Sequence, residues 1–300
     1  MYREHFRLSR PPFTLTPDTS FFFGHASHRE ALNVLQLALR SGEGFIKVTG
    51  EVGTGKTLLC RQLLNMLDAG FVTAYIPNPC LTPAALRMAV AEELGLSFPR
   101  NLGQHRLTQR INQRLIALNA QGRQVVLIID EAQALPDETL EAVRLLTNLE
   151  TEQDKLLRVV MFGQPELDRR LGAAHLRQLR QRIVFSYSLR PLDRSALAAY
   201  VRHRLQVAGH PHGGLFSPRA LRRLHRASGG IPRLVNVLSH KALMAAYGQG
   251  AQTVRPGHLR RAILDTEAAR GPRGVLGRVA YGAAGTLATL GVYFLGGAGR

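Results

Sequence analysis

The most informative stretch of this 300-residue sequence is Gly50-Glu51-Val52-Gly53-Thr54-Gly55-Lys56-Thr57. It follows the apolar run 45–49 and precedes the helix-like run 58–64, so it matches the pattern G-x-x-x-x-G-K-[ST] between a strand and a helix. Glycines let the backbone turn its N–H groups toward phosphate oxygens, and the first turn of a helix adds the positive end of its dipole. The stretch therefore predicts a nucleotide-binding loop.

Each position of this loop has an expected role. We expect Lys56 to reach the β- and γ-phosphates and the hydroxyl of Thr57 to bind Mg²⁺, so ATP and Mg²⁺ are the cofactors implied. A glycine-rich turn that only resembles the motif is the alternative, and the flanking strand and helix argue against it. The residues expected to contact the nucleotide are Gly50, Glu51, Val52, Gly53, Thr54, Gly55, Lys56, Thr57 and Leu58.

A second motif is the apolar run 125–129, which ends in Asp130 and Glu131. A continuous apolar run is typical of a parallel strand buried on both faces, and such a strand delivers its carboxyl end to the ligand edge of an α/β sheet. We expect Asp130 to hold Mg²⁺, mostly through water, and Glu131 to polarise the attacking water as the second member of a Walker B pair. Together with the phosphate loop, this pair predicts ATP hydrolysis.

The order of secondary-structure patterns predicts an α/β fold. Helices and strands alternate through residue 188, which indicates a mostly parallel sheet with helices on both faces. From residue 193 onward only helical patterns occur, and we expect an all-helical lid there. We therefore predict an N-terminal strap and helix over 1–40, an α/β nucleotide-binding core over 41–190, a basic helical lid over 191–269 and a C-terminal segment over 270–300.

The segment before the phosphate loop is rich in proline and aromatic side chains. Residues 11–23 cannot form a long helix, so we expect an extended strap over the α/β core. Phe6, which precedes this strap, and Phe13 and the phenylalanines 21–23 within it either flank the adenine or simply pack against the core. The N-terminus lacks the apolar segment of a signal peptide, so we expect the nucleotide-binding part to remain in the cytoplasm.

Three polar residues are candidates for completing the site. Gln164 follows a strand expected beside the Walker B strand, so it is placed to sense the γ-phosphate and orient water; a simple turn glutamine is the alternative. Arg233 opens a helix after a Gly-Gly break and can reach the nucleotide across the cleft between core and lid. Arg182 precedes the last core strand, where such ATPases present an arginine finger to a neighbouring subunit, with Arg177 and Arg180 as alternatives.

The net charge of +18 is unevenly distributed along the chain. Residues 1–175 contain 19 Lys+Arg against 18 Asp+Glu, a balance of +1, whereas residues 176–300 contain 20 against 3, a balance of +17. A surface of this charge suits nucleic acid or the anionic inner leaflet of a membrane. A basic face that is merely solvated is the third interpretation, because net charge alone specifies a partner weakly.

Residues 279–299 contain no charged side chain. A bilayer-spanning helix needs about 20 residues, so this run predicts a transmembrane helix; because it is rich in Ala and Gly, a flexible tail is the alternative. Arg270, Arg273 and Arg278 precede the run and only Arg300 follows it. The positive-inside rule then predicts a single-pass protein of the bacterial inner membrane with the ATPase domain in the cytoplasm.

Several of these motifs together resemble the ExeA/GspA family of AAA+ ATPases, and the nearest match is its MshM branch, associated with MSHA-type type IV pilus biogenesis. The resemblance covers about residues 1–268. It rests on Met1-Tyr2 with Phe6, Pro12-Phe13, Thr16-Pro17-Asp18, Gly44-Phe45, the run from Gly50 to Arg61, Asp130-Glu131-Ala132-Gln133, Gly163-Gln164-Pro165-Glu166-Leu167 and Gly230-Ile231-Pro232-Arg233.

The resemblance implies an AAA+ core with a helical lid that hydrolyses ATP as a homo-oligomer. It further implies pilus or secretion assembly proteins as partners, work at the inner membrane, Gln164 and Arg233 as sensors, and Arg182 as the finger. ExeA-like members continue into a periplasmic peptidoglycan-binding domain, whereas this sequence ends at Arg300, so we expect no direct cell-wall binding by this polypeptide.

The sequence leaves more than one function open. The leading interpretation is a membrane-anchored AAA+ ATPase that helps to assemble an MSHA-like type IV pilus or a type II secretion-type apparatus. The alternative is a DNA-binding AAA+ ATPase like the transposition regulators, which share Gly-Gln-Pro-like elements and a basic lid. An ATP-bound switch with little turnover is a third possibility.

Overall fold

The computed structural model describes residues 2–77, 79–99, 102–148 and 155–269, and these form two units. Among these residues, the sheet unit consists of Thr16–Leu192 with Ile231–Arg233, and the helical unit consists of 2–15, Asp193–Gly230 and 234–269. The predicted membrane span at 279–299 lies outside the described residues. Within the described ranges, no helix is both long enough and apolar enough to cross a membrane.

The sheet unit is built on five parallel strands in the order β2-β3-β4-β1-β5. All seven residues of β4 are buried, as expected for the centre of a parallel sheet covered on both faces. Because the strands are parallel, their carboxyl ends meet at one edge, where ligands bind in open α/β sheets. The strands are β1 (Phe45–Thr49), β2 (Phe71–Ile76), β3 (Gln124–Ile129), β4 (Leu157–Gly163) and β5 (Phe185–Ser188).

Two helices precede the first strand, and the others lie between and after the strands. They are α1 (Tyr2–His5), α2 (Ala26–Arg40), α3 (Lys56–Met66), α4 (Pro83–Glu93), α5 (Gln104–Ala120), α6 (Asp137–Leu146), α7 (Pro165–Leu171), α8 (Arg177–Arg182), α9 (Arg194–Val207), α10 (Pro218–Ser228), α11 (Pro232–Tyr247) and α12 (Pro256–Leu264). Short 3₁₀ turns occur at Thr19–Phe21, Ala132–Ala134, Ala174–Leu176 and Glu267–Ala269.

The sheet is covered on both faces, which confirms the predicted α/β fold. Strand β3 shows why its sequence is apolar throughout: Val126 and Ile128 belong to one buried cluster, whereas Val125, Leu127 and Ile129 belong to another. Helices α2 and α3 contribute to the first cluster, and helices α4, α5 and α6 contribute to the second. Successive side chains of a strand point to opposite faces, so both faces of β3 pack against apolar side chains.

The predicted element boundaries differ slightly from the observed ones. The sequence pattern predicts a helix over 137–149, and the observed helix ends at Leu146, where the Thr147 hydroxyl donates to the carbonyl of Arg144 at 2.7 Å. The pattern also predicts a helix over 256–268, and the observed helix ends at Leu264 and is followed by the 3₁₀ turn Glu267–Ala269. Strands β1 and β3 agree with the apolar runs 45–49 and 125–129 to within one residue.

Residues 2–15 pack in the helical unit, so the expectation that the strap 11–23 covers the α/β core is wrong for residues 11–15. The Ser9 N–H donates to the carbonyl of Ala208 at 2.8 Å, and the Phe13 ring meets the Phe216 ring edge-on with centroids 6.0 Å apart. The buried Arg204 guanidinium donates to the carbonyl of Pro12. A buried guanidinium needs acceptors, and the strap carbonyls supply them.

This arrangement removes Phe6 and Phe13 as candidates for flanking the adenine. Both side chains are buried in the helical unit, which corresponds to the alternative of ordinary packing. Phe21 is also buried, but it belongs to the sheet unit. The pattern of prolines and aromatics predicted burial correctly and did not indicate which of the two cores would receive each ring. Cys60 and Cys80 are both free cysteines.

Candidate nucleotide-binding site

The phosphate loop turns at the carboxyl end of β1 and leads directly into α3. Gly53 and Gly55 have φ values of +84° and +99°, a left-handed conformation that only glycine adopts readily. The Gly50 N–H donates to the carbonyl of Gly163 at 3.2 Å, and the Thr54 hydroxyl donates to the carbonyl of Glu51 at 2.8 Å. These bonds fix both ends of the loop between two neighbouring strands and the helix.

Lys56 is the buried cation of the loop, with a relative exposure of 4%. Its Nζ donates to the carbonyl of Gly50 at 2.8 Å and to the carbonyl of Glu51 at 3.1 Å. Burial lowers the pKa of Lys56, although the nearby carboxylates of Glu131 and Asp130 act in the opposite direction. An ammonium has three donors. Two are used by the loop itself, so one remains for an anionic oxygen.

Asp130 and Thr57, the two predicted metal ligands, are in contact. Asp130 is 2% exposed and follows β3, and its carboxylate accepts a hydrogen bond from the Thr57 side chain and another, at 2.9 Å, from the Glu131 N–H. Burial raises the pKa of Asp130 despite these two bonds. Mg²⁺ is bound through few protein oxygens together with phosphate oxygens and water. The Thr57 hydroxyl and the buried Asp130 carboxylate beside the loop fit that requirement.

Glu131 has an unusual backbone conformation and a well-held side chain. Its φ of +52° is left-handed, which is rare for a residue with a Cβ. The carboxylate Oε2 accepts from Nε2 of Gln133 at 2.6 Å and from Nε2 of Gln164 at 3.1 Å. Burial raises the pKa of Glu131, but these two bonds and the charge of Lys56 outweigh it, so the pKa is lowered. The side chain is therefore a carboxylate at neutral pH.

Gln133 is a site residue that the sequence did not single out. Its Nε2 holds Glu131, and its Oε1 accepts from the backbone N–H of Gln164 at 3.0 Å. The carbonyl of Gln133 accepts from Nη1 of Arg170 at 2.6 Å. One amide thus joins the end of β3 to the end of β4. Two features of the sequence could have indicated Gln133 as a site residue. It lies two residues after Glu131, and it is the only residue of the sequence 130–136 with an amide side chain.

Gln164 lies at the end of the strand that neighbours the strand of the Walker B pair. Strand β4 lies beside β3, and Gln164 directly follows β4, so its side chain reaches the Walker B glutamate. Its role in sensing phosphate stays a prediction.

Arg233 also lies at the loop, and it belongs to the sheet unit. Its N–H donates to the carbonyl of Gly53 at 3.1 Å. A Cβ added at Gly53 would lie only 2.6 Å from the Cβ of Arg233 and 3.2 Å from Cγ2 of Ile231. The guanidinium end of Arg233 is exposed. The loop and the start of α11 are therefore in direct contact at a position where only glycine fits.

Arg182 does not contact the side chains around the phosphate loop. Its Nη1 donates to the hydroxyl of Thr147 at 3.0 Å, at the end of α6, and it is half-buried. Arg177 and Arg180, on the same short helix α8, are exposed. All three therefore remain candidates for acting on the nucleotide of a neighbouring subunit, and that role stays a prediction.

His28 is a second residue that the sequence did not single out. It is buried on α2, and its Nε2 lies 3.1 Å from the carbonyl oxygen of Thr54. Burial lowers the pKa of His28, so the imidazole is neutral and its Nε2–H can donate to that carbonyl. A Cβ at Gly55 would lie 3.1 Å from the same nitrogen. The imidazole therefore fixes the phosphate loop from the side of α2.

These features define the class of the protein. A phosphate loop and a Walker B pair meet at the carboxyl edge of a parallel sheet, which is the arrangement of P-loop nucleotide-binding proteins of the AAA type. Consistent with this, residues 39–171 match the AAA domain family.

A curated relative identifies the family more narrowly. The chain is 44% identical over 270 residues, or 90% of its length, to general secretion pathway protein A of Aeromonas hydrophila. The chain belongs to the ExeA/GspA-like family of AAA+ proteins. It spans about half the length of this relative, since the match covers 49% of it.

Solved structures with low sequence identity share the fold. The Aeropyrum pernix ORC2 protein superposes with a TM-score of 0.63 at 15% identity, covering 86% of this chain and 72% of that chain. Cdc6p from Pyrobaculum aerophilum gives 0.63 at 18% identity, covering 83% and 70%. The Thermotoga maritima RuvB branch migration motor gives 0.54 at 16% identity, covering 81% and 69%. These likenesses establish an AAA+ fold with a helical C-terminal part.

Proposed function

We propose that this protein is a Mg²⁺-dependent ATPase whose catalytic base is Glu131. The observation that carries this proposal is the position of the Glu131 carboxylate, which two glutamine amides hold beside the phosphate loop and whose charge acts on Lys56. Its lowered pKa keeps it ionised, and its second oxygen is left to accept a proton from water. General-base catalysis of this kind contributes about 10²- to 10⁴-fold to a rate.

The other residues of the site have complementary roles. Lys56 binds the phosphate oxygens with its remaining donor, and Thr57 and Asp130 would hold Mg²⁺. When bound, the metal neutralises charge that develops on the phosphate oxygens. Gln164, which touches Glu131 directly, orients the water, while Gln133 keeps the glutamate and Gln164 in register.

The substitution Glu131→Gln tests this assignment. It keeps the size of the side chain and removes the base, so we expect ATP turnover to fall by about 10²- to 10⁴-fold while ATP affinity changes little. Turnover is measured by phosphate release, and affinity by titration with a fluorescent nucleotide. A control substitution, Glu141→Gln, changes a carboxylate that pairs with Arg144 on α6 and should leave both quantities unchanged. Unchanged turnover in Glu131→Gln would refute the proposal.

We further propose that the active form is a homo-oligomer. Arg182, Arg177 and Arg180 lie on α8, and a finger arginine contributes about 10³- to 10⁵-fold to the rate in P-loop NTPases that use one. Each arginine is replaced by alanine, and turnover is followed against protein concentration. The finger is the residue whose variant loses activity and regains part of it when mixed with Glu131→Gln, because the mixed oligomer restores complete sites.

The biological role that we propose is assembly of an envelope apparatus at the bacterial inner membrane, either a type II secretion-type system or an MSHA-like type IV pilus. The name of the Aeromonas hydrophila relative and the uncharged run 279–299 support this role. The ATPase would then face the cytoplasm as part of a single-pass protein. Membrane fractionation of cells that produce the full chain tests this placement; recovery wholly in the soluble fraction contradicts it.

A DNA-binding AAA+ ATPase is the second candidate function, supported by the balance of +17 over residues 176–300. Binding of duplex DNA to such a surface falls steeply with salt because counterions are released. A soluble protein that shifts duplex DNA at physiological salt would favour this candidate over the envelope role. Both candidates use the same ATP site, so this measurement leaves the ATPase assignment unaffected.

A further inference from the structure

We propose that one face of helix α10 binds the phosphates of anionic phospholipids at a membrane surface. Four arginines of this helix, Arg219, Arg222, Arg223 and Arg226, are exposed. At 3.6 residues per turn they fall within an arc of about 100°, so they form a single row along one side of the helix. We call this row the arginine face.

The rest of α10 explains why the arginine face points to solvent. Ala220, Leu224 and Ser228 are buried, and they recur every four residues on the other side of the helix. Ser217 begins the helix, since its hydroxyl accepts from the N–H of Ala220 at 3.2 Å, and Gly229 ends it with a φ of +59°. The helix is therefore fixed in the core of the helical unit with its cations turned outward.

The arginine face lacks counterions within the part of the chain that the structure describes. None of the four arginines forms an ion pair there. Like charges three or four residues apart on a helix repel, so the row works against the stability of the helix. Helix α12, which packs against α10, adds exposed Arg260 to the same unit. Such a surface is complementary to a polyanion.

The side chains favour phosphate as the binding group. Every cation on the arginine face is arginine, whose planar guanidinium can donate two parallel hydrogen bonds to one phosphate. A straight row of about 10 Å, from the rise of seven residues, needs phosphates spread over a plane rather than at a fixed helical spacing. A lipid surface meets that need.

Two further observations favour lipid over nucleic acid. The helical unit leaves Met244 and Leu264 more than half exposed, at 53% and 57%, and apolar side chains can enter the boundary between headgroups and acyl chains. In the sequence, only residues 270–278 separate the described chain from the uncharged run 279–299. Nine residues span at most about 30 Å. This last point rests on the proposed membrane placement, whereas the arginine face does not.

Vesicle binding by the full chain tests the proposal. The probes are vesicles of phosphatidylcholine alone and vesicles of phosphatidylcholine mixed with phosphatidylglycerol. The readout is the ratio of the two binding affinities. Membrane insertion that does not depend on lipid charge contributes equally to both affinities, so it does not change this ratio. The variant carries Arg219→Gln, Arg222→Gln, Arg223→Gln and Arg226→Gln. Each surface arginine contributes about fivefold, so we expect the preference for anionic vesicles to fall by roughly a hundredfold or more.

Two control variants separate this effect from net charge and from misfolding. One replaces four exposed arginines of the sheet unit, Arg29, Arg40, Arg106 and Arg123, by glutamine and should keep the preference for anionic vesicles. The other replaces the four α10 arginines by lysine and should retain most of the binding. ATP turnover is measured on the same samples without vesicles. A variant that keeps its turnover and loses its preference for anionic vesicles has lost the lipid site and not the ATPase activity.

Three outcomes would overturn the proposal. The first is an unchanged preference for anionic vesicles in the α10 glutamine variant, and the second is an equal loss in the sheet-unit control. The third is tighter binding to duplex DNA than to anionic vesicles at physiological salt, lost in the α10 glutamine variant, which would assign the arginine face to nucleic acid.

Discussion

The two units of this protein use charge in opposite ways. In the sheet unit the important charged groups, Lys56 and Asp130, are almost fully buried, and hydrogen bonds hold each of them. In the helical unit the four arginines of the arginine face are exposed. A buried charge is retained only where its surroundings satisfy it, whereas an exposed charge costs little. The half of the sequence with nearly balanced charge therefore contains the chemical site, and the strongly basic half contains a surface.

Removing a buried charge should have the largest effect. For Lys56→Ala we expect nucleotide affinity to fall by about a hundredfold or more, because charge-assisted hydrogen bonds to phosphate are lost. Isothermal titration with a non-hydrolysable ATP analogue measures this. The matched control is Lys47→Ala on β1, a lysine paired with Asp168, which should bind nucleotide as the wild type does. Equal losses in both variants would mean that Lys56 acts only through stability.

The next largest effect should come from the contact between Gly53 of the phosphate loop and Arg233, both in the sheet unit. A left-handed residue with a Cβ costs about 1–2 kcal/mol, and the clash of a Gly53→Ala Cβ with Arg233 adds about 1–3 kcal/mol. Urea unfolding should therefore show a loss of about 3 kcal/mol in the free energy of unfolding. The control Gly122→Ala has a φ of +71° and open space around its Cβ, so it should lose only the first part. Similar losses in the two variants would contradict the close contact at Gly53.

A smaller and more specific effect is expected for Gln133→Leu, which keeps the approximate shape of the side chain. Losing the bond to Oε2 raises the pKa of Glu131 toward its ordinary value. Because the base must be ionised, activity is lost as the pH falls through that pKa. The acid limb of the pH–rate profile should therefore move to higher pH, while turnover at neutral pH changes little because Glu131 stays ionised there.

Steady-state turnover measured across pH checks this result. Gln121→Leu, an exposed glutamine at the end of α5, should leave the profile unchanged. If the rate of Gln133→Leu falls with no movement of the acid limb, then Gln133 supports the turn without tuning the carboxylate.

The smallest effect concerns the stability of the helical unit. Replacing the four arginines of the arginine face by glutamine removes like-charge pairs worth about 0.2–0.5 kcal/mol each, so the free energy of unfolding should rise by about 1 kcal/mol at low salt. High salt screens these repulsions, and the difference should then vanish. Urea unfolding at two salt concentrations checks it. A marked loss of stability would mean that these arginines have intramolecular partners and would weaken the contrast between the units.

Much of the fold followed from local patterns. The apolar run 125–129 predicted a buried parallel strand because helices on both faces favour apolar side chains at every position, and the phosphate loop predicted its own strand and helix. The order β2-β3-β4-β1-β5 was not predictable in the same way. The composition of a strand does not identify its neighbours, which depend on how the connecting helices cross the sheet.

The site was predictable where a residue's role depends on sequence spacing. Lys56, Thr57, Asp130 and Glu131 follow from motifs, and the neighbourhood of Gln164 follows from the strand that precedes it. Gln133 was missed because its function depends on the left-handed turn at Glu131, which folds the chain back toward β4. Phe13 was misplaced for a related reason: an aromatic residue in a strap predicts burial, and the choice of core depends on distant partners such as Arg204 and Phe216.

The conformation of Glu131 also has a consequence for how this protein can evolve. Glycine or asparagine would occupy that left-handed position with less strain. The left-handed backbone conformation commonly costs other residues about 1 kcal/mol or more of free energy relative to these two. Selection for thermal stability alone would therefore tend to replace the glutamate. A directed-evolution experiment that rewards only heat resistance should enrich glycine or asparagine at position 131 and yield robust but inactive proteins, whereas selection for turnover should retain the strained residue.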